Sequence, residues 1–220
     1  MHSSRPSSRL TFPEAEARLP WLATLLEMYA LSDRGVAEAI RRQEVLGRRL
    51  ACGPGCAACC RCHLDIPVYP LELTGIYWYV LEETQGPQRV ALQENLAAYR
   101  QGEACPFLLD DTCGIHPMRP MACRNFNVFG RPCAEGEDAF HSRRGDVLDP
   151  PRESQRAALE RMLVAHGVRP KAARRARVRS GQVHVLAQVL QKVDWRRLAA
   201  RMEGGQGSGP GPEDPGATGI

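Results

Sequence analysis

The 220-residue chain lacks any long apolar run. Its longest, around Leu19 to Leu31, is broken by Pro20, Thr24 and Glu27, far short of the roughly 18 apolar residues that a membrane span needs. Residues 1–9, Met-His-Ser-Ser-Arg-Pro-Ser-Ser-Arg, hold no apolar core of a secretory signal, and Glu14 and Glu16 arrive too early for an organellar transit peptide. A Gly-rich phosphate loop, a nucleophile elbow and an HExxH helix are all missing. The carboxylate pairs Glu82-Glu83 and Asp110-Asp111 are adjacent in sequence, so on a helix or strand they diverge and offer no acid–base pair. Neither an internal repeat nor a strand–helix alternation is present, which excludes solenoids and doubly wound sheets. These absences predict a soluble, cytoplasmic protein without a nucleotide-binding or hydrolase motif.

Cysteine is present without being abundant: nine residues, below the roughly 8–10% of a disulfide scaffold. The number is odd, and five of the nine fall between Cys52 and Cys62. In the reducing compartment expected for an unexported chain, clustered thiols bind metal more often than they pair as disulfides.

Around them the pattern is mainly helical. Pro13-Glu-Ala-Glu-Ala, with acids in a first turn, opens a helix to about Ala30. Ser32 is placed to cap a second helix carrying Val36, Ile40, Leu46 and Leu50. An extended piece, 64–68, precedes helices over about 70–84 and 87–101; two more are expected over 152–166 and 181–202, the last with Val183, Leu186, Leu190 and Val193 on one face. Residues 1–13 read as a flexible tail, 14–203 as one helical domain, and the Gly/Pro-rich 204–220 as a disordered tail. The fold class is thus mainly α: a small helical domain whose two irregular cysteine-rich loops clasp a metal centre.

The first loop reads Cys52-Gly-Pro-Gly-Cys56-Ala-Ala-Cys59-Cys60-Arg-Cys62-His63. A two-residue gap between Cys56 and Cys59 lets both sulfurs face one point, and Gly53 and Gly55 let the backbone fold back so that Cys52 joins them. Cys59 and Cys60, being neighbours, point apart; one ligates while the other packs, or each serves a different centre. The second loop reads Cys105-Pro-Phe-Leu, then Cys113-Gly-Ile-His116-Pro-Met-Arg119-Pro-Met-Ala-Cys123-Arg124-Asn-Phe126. Its prolines stiffen the chain, while Arg119 and Arg124 suit a thiolate-rich, net-negative centre.

Together these motifs resemble the CxxCxxCC cysteine-cluster family, the YkgJ-type bacterial proteins described as zinc- or iron-chelating. The resemblance covers about residues 52–130 and implies Cys52, Cys56, Cys59, Cys60, Cys105, Cys113 and Cys123 as metal ligands. His116 stands where the family more often has Tyr, and Cys62, His63 and Cys133 lie outside the pattern. A related group resembles flagellin lysine N-methylases.

Seven thiols exceed the four of a closed zinc shell and favour an iron–sulfur cluster over Zn2+ as cofactor, in a redox, metal-handling or scaffold role. An alternative is a cluster-supported protein-modifying enzyme, although no Gly-rich loop for S-adenosylmethionine is present. Cys52, Cys56 and Cys59 also match the spacing of radical S-adenosylmethionine enzymes, but Ala58 stands where an aromatic is usual and no barrel strands follow. A third reading is a zinc-stapled adaptor: residues 152–203 hold 13 Lys/Arg against four Asp/Glu, a balance of +9 in a chain of net +4, leaving −5 elsewhere. That basic region would suit an acidic partner or, less well, nucleic acid, since no recognition motif accompanies it; a solvated face is the simpler reading. Tyr77-Trp78-Tyr79 is expected to pack against the cysteine loops, and Cys133 to be a plain exposed thiol.

Overall fold

A computed structural model describes residues 9–204, and it is mainly helical. The expected first helix is divided by Pro20 into α1 (Pro13–Arg18) and α2 (Pro20–Val45). Leu19, the residue before proline, is driven out of helical geometry (φ −124°, ψ 84°), and Pro20 then starts α2, where no amide is required of it. Arg9 pairs with Glu16 at 2.6 Å, and the Phe12 ring meets Trp78 edge-on at 4.9 Å.

α2 runs unbroken through Ser32, which is no cap. Its buried hydroxyl donates to Asn125 Oδ1 at 2.8 Å, so tertiary packing overrides the local capping preference. Leu22, Leu25, Leu26, Met28 and Tyr29 are buried along this helix. They recur at the three- and four-residue spacing of one helix face. The helix stops before Gly47, whose φ of +80° is left-handed, so Leu46 is exposed and Leu50 pairs instead with Phe129 in an isolated β-bridge.

Next come α3 (Ala58–Cys62), β1 (Pro67–Val68) and α4 (Pro70–Trp78), the last continuing as a π-helical turn over Tyr79–Glu83. α5 (Gly86–Ala98) leads to a hairpin of β2 (Leu108–Leu109) and β3 (Thr112–Cys113). Asp110 and Asp111 form its two-residue turn, both with positive φ (41° and 63°), as a primed hairpin turn requires. α6 (Met121–Asn125), α7 (Ala139–Ser142), α8 (Arg152–Ala165), α9 (Lys171–Arg179), β4 (Gln188–Val189) and α10 (Arg196–Gly204) complete the order.

The main core lies between α2 and α8 and between α5 and α10, where Leu92 and Leu96 meet Leu198, Ala199 and Met202. Trp195 is fully buried, packs edge-on against Phe107 at 4.7 Å, and donates its indole N–H to Leu190 O at 2.8 Å. The single helix expected over 181–202 is replaced by 3-10 turns, β4 and α10. Gly181 (φ +75°) ends α9, and β4 pairs antiparallel with β1, Pro67 opposite Val189 and Val68 opposite Gln188. Strand pairing and the Leu190 amide bonded to Ile66 O (2.8 Å) outweigh the helical spacing of Val183, Leu190 and Val193. Nor does the Tyr77-Trp78-Tyr79 run pack as one layer on the cysteine loops: Trp78 meets Phe12 and Trp21, while Tyr77 lies against Trp195. Among the described residues no helix is long and apolar enough to cross a membrane. The C-terminal tail expected over 204–220 lies, from 205 on, outside the described residues.

Glu72 is wholly buried within this core. One carboxylate oxygen accepts the Tyr69 amide at the start of α4 (3.0 Å), the other the Met121 amide at the start of α6 (2.6 Å). Burial raises its pKa to about 7 despite both hydrogen bonds. The protonated form is therefore favoured by folding, so this stabilisation is complete below the ordinary carboxylate pKa of about 4.5 and is lost as pH rises through 7, at up to about 1.4 kcal/mol per pH unit. Glu72→Gln leaves one amide facing an NH2 group and should cost about 1–3 kcal/mol at pH 5. Denaturant midpoints at pH 5 and pH 8 should show the gap between wild type and variant narrowing; a constant gap contradicts this assignment.

Candidate metal centre

The first cysteine loop is pinned at both ends. Ala51 N donates to Val128 O and Gly130 N to Arg49 O, both at 2.8 Å, placing Cys52 beside Val128, whose amide donates to the Cys52 sulfur at 3.3 Å. A turn closed by Cys56 N on Gly53 O (3.1 Å), with Gly55 at φ +76°, then carries the exposed Cys56 into α3. This is the fold-back that the two glycines suggested.

α3 separates Cys59 from Cys60. The Cys60 carbonyl accepts the Cys105 amide at 2.8 Å, and Cys105 and Cys59 both act on the Cys60 thiol. An ion pair from Arg61 to Asp111 fastens α3 to the tip of the β2–β3 hairpin, and the hairpin carries Cys113. Cys123 follows on α6, whose amide end is held by Glu72.

Arg124 fixes this second loop. It donates to Asp33 of α2 at 2.7 Å, to Arg119 O at 2.9 Å and to Pro117 O, and its guanidinium lies 3.9 Å from the centre of the Tyr29 ring. Such a buried, multiply bonded arginine is structural, and its charge also acts on Cys113. Arg119 differs. Among the described residues its side chain has no hydrogen-bonding or ionic partner, its Nε is buried, and its charge acts on Cys113 and Cys123. The sequence presented the two arginines as equivalent; the structure separates them.

Cys60, Cys105, Cys113 and Cys123 pack on the main core, whereas Cys52 and Cys133 pack on the small cluster of Val128, Ala139 and Val147. Cys59, Cys60, Cys105, Cys113 and Cys123 lie inward, where Cys59 and Cys60 act on both Cys123 and one another. Cys52, Cys56, Cys62 and Cys133 lie outward, and the charges of Cys56, Cys59 and Cys133 act on Cys52. Cys59 is the seam. The contact with Cys60 raises Cys59 far above an ordinary thiol, and burial does the same to Cys123. Hydrogen bonding to Cys105 takes Cys60 to about 12, and burial takes Cys52 and Cys62 to about 11.

Cys133 is not the exposed thiol that was expected. It is half-buried against Val128, Ala139 and Val147 together with Cys52, and Arg143 donates to its sulfur at 3.3 Å. His63 is turned away from the thiols, its Nε2 3.2 Å from Asp138 Oδ1 and its ring edge-on to Phe126. The His116 imidazole is held toward its neutral form by burial and by the nearby Arg119 and Arg124 charges. Two further residues escaped the sequence reading. Gln191, fully buried, donates to His63 O (2.8 Å) and accepts from the Ile66 amide (3.2 Å), anchoring the chain just after α3. Glu137 gathers Arg131, Arg143, Ser142 and the Ala134 amide, and its hydrogen bond from Arg131 leads in holding its pKa at about 2. Neither residue belongs to a recognisable motif.

Soft sulfur donors suit zinc, iron and iron–sulfur clusters. Among the described residues no three His, Cys, Asp or Glu side chains converge closely enough to hold an ion as they stand, so closing a shell requires thiol rotamers to turn. The orphaned Arg119 donor fits such a group: metal-bound thiolates would give its buried N–H an anionic acceptor.

The family inferred from the motif residues is the one found. Residues 51–144, a segment holding all nine cysteines, match the CxxCxxCC family, described as a "putative zinc- or iron-chelating domain". No curated protein and no solved structure matches the chain.

At neutral pH the raised thiols are protonated, so a metal must displace a proton from each one it binds. Competition titrations of reduced protein with Zn2+ at pH 6.5, 7.5 and 8.5 should show affinity rising at least about tenfold per pH unit. A pH-independent affinity contradicts ligation by these thiols.

Proposed function

We propose that the cysteine patch binds an iron–sulfur cluster through thiolates drawn from Cys52, Cys56, Cys59, Cys60, Cys105, Cys113 and Cys123, and that the protein serves a redox or metal-handling role. The observation that carries this reading is the joining of the two cysteine loops at Cys60 and Cys105, backbone to backbone at 2.8 Å, with the buried Arg119 Nε, which has no partner among the described residues, in the second loop. Four thiolates close a zinc shell, and the surplus suits a cluster with spare or redox-active thiols. The matched family's description, zinc- or iron-chelating, agrees at the coarser level of metal binding. A bound cluster would supply one-electron transfer at thiolate-ligated iron. The chain's own groups do the rest: Cys60 and Cys105 are held backbone to backbone, Arg61 and Asp111 fasten the hairpin that carries Cys113, Arg124 and Glu72 hold the loop that carries Cys123, and Arg119 offers positive charge to the sulfurs.

Zn2+ in a scaffold role is the second reading, since zinc takes the same soft donors. Anaerobic purification with iron, zinc and acid-labile sulfide analysis separates the two. Brown protein containing iron and sulfide is expected, and Cys60→Ser or Cys123→Ser should lower the iron content at least twofold. Colourless protein with stoichiometric zinc would overturn the cluster in favour of a zinc staple, and protein free of metal at every stage would overturn both.

A further inference from the structure

We propose that helix α9 binds the phosphate backbone of duplex nucleic acid, without regard to base sequence, through Lys171, Arg175 and Arg179, with Arg156 of the adjoining α8. This goes beyond the metal centre and rests on none of the cysteines.

The charge is one-sided. Between Glu160 and Asp194 the sequence holds no Asp or Glu, and it places eight Lys or Arg there, six of them within Arg169–Arg179. α9 docks by a narrow stripe: Val178 is buried in the main core, and Ala173 packs against that core. Arg174 is turned back onto Val168 O (3.2 Å) and Arg169 O, so its charge serves the approach to the helix. Lys171, Arg175 and Arg179 are exposed and recur every four residues. They form one row, with a rise of about 6 Å between neighbours and about 12 Å in all. Among the described residues the row has one ionic contact, from Arg175 to Glu160 of α8 at 3.8 Å. Arg156, exposed one turn before Glu160, lies on the same side of α8.

Standing alone, this row works against the helix. Like charges four residues apart repel, and Lys171 occupies the first position of α9, where the helix dipole favours an acid. A polyanion laid along the row reverses both effects.

The surroundings select phosphate. Arginine presents a fork of donors that matches phosphate oxygens in pairs. A folded protein partner needs an aromatic or aliphatic anchor buried at the centre of its contact, and a membrane surface needs Trp, Phe or Leu to insert. Beside its cations the exposed part of α9 carries only Ala172 and Ala176, whose short side chains let a backbone come close. Phosphate contacts require no apolar anchor, and they position a protein on a duplex without a base-reading motif.

Fluorescence anisotropy of a labelled mixed-sequence duplex, once as DNA and once as RNA, titrated with full-length protein as isolated, tests this. Binding of either duplex is expected, and three phosphate contacts should make it about 40-fold weaker at 200 mM than at 50 mM salt. Lys171→Gln/Arg175→Gln/Arg179→Gln should keep its far-ultraviolet circular dichroism and bind at least about tenfold more weakly at 50 mM salt. Arg18→Gln/Arg34→Gln/Arg41→Gln removes the same charge from exposed positions on α1 and α2 and should bind within about twofold of wild type. Equal losses in the two triple variants overturn the proposal, as does a wild type that binds neither duplex at 50 mM salt. A glutamate-rich peptide that displaces the duplex at equal charge concentration would overturn it in favour of an acidic protein segment.

Discussion

Arg124 is the residue on which the second cysteine loop depends. Residues 116–125 make only a 3-10 turn and a single short helix, anchored in the core by Met118 and Met121, yet they must present Cys123 beside Cys113. Arg124 solves this from inside, binding two carbonyls of its own loop, pairing with Asp33 and covering the Tyr29 ring, so the loop is fastened to α2. Glu72 repeats the device at the other end by holding the first amide of α6. Removing one partner of so buried a pair leaves an uncompensated charge, a larger loss than a typical surface ion pair involves. The helical core can be viewed as a rigid frame and these two polar clamps as the means by which it holds thiols.

Three arginines near the cysteines have three different duties. Arg124 is consumed by structure. Arg143 joins a carboxylate lattice to the Cys133 sulfur. Arg119 has a buried donor and no partner among the described residues, the kind of unmet need that a thiolate-bound metal would satisfy. Positive charge placed in this graded way lowers the cost of gathering many sulfurs, which otherwise oppose one another's ionisation.

Much of this was legible in the sequence. Cysteine spacing, the glycines beside Cys52 and Cys56, and the helical signals over 13–30 and 152–166 led to a helical domain with two thiol loops, and the family match over 51–144 agrees. What was illegible is tertiary. Ser32 looks like a cap because capping is local, whereas its partner Asn125 is 93 residues away. Val183 to Val193 look like a helix because the strand that captures them lies at Pro67–Val68. Cys133 looks like a stray thiol because its neighbours come from residues 52, 128 and 143. Glu72 and Gln191 carry no motif at all; only burial exposes their role.

Packing and polar clamps place the cysteine loops, and the proposed metal would tighten both of them further. Amide hydrogen exchange, recorded on protein as isolated and after a chelator has stripped its metal under reducing conditions, tests this directly. The account predicts that protection falls across residues 51–62 and 105–133 while α2 and α8 keep theirs. Unchanged protection in both cysteine segments after the metal has gone would contradict it.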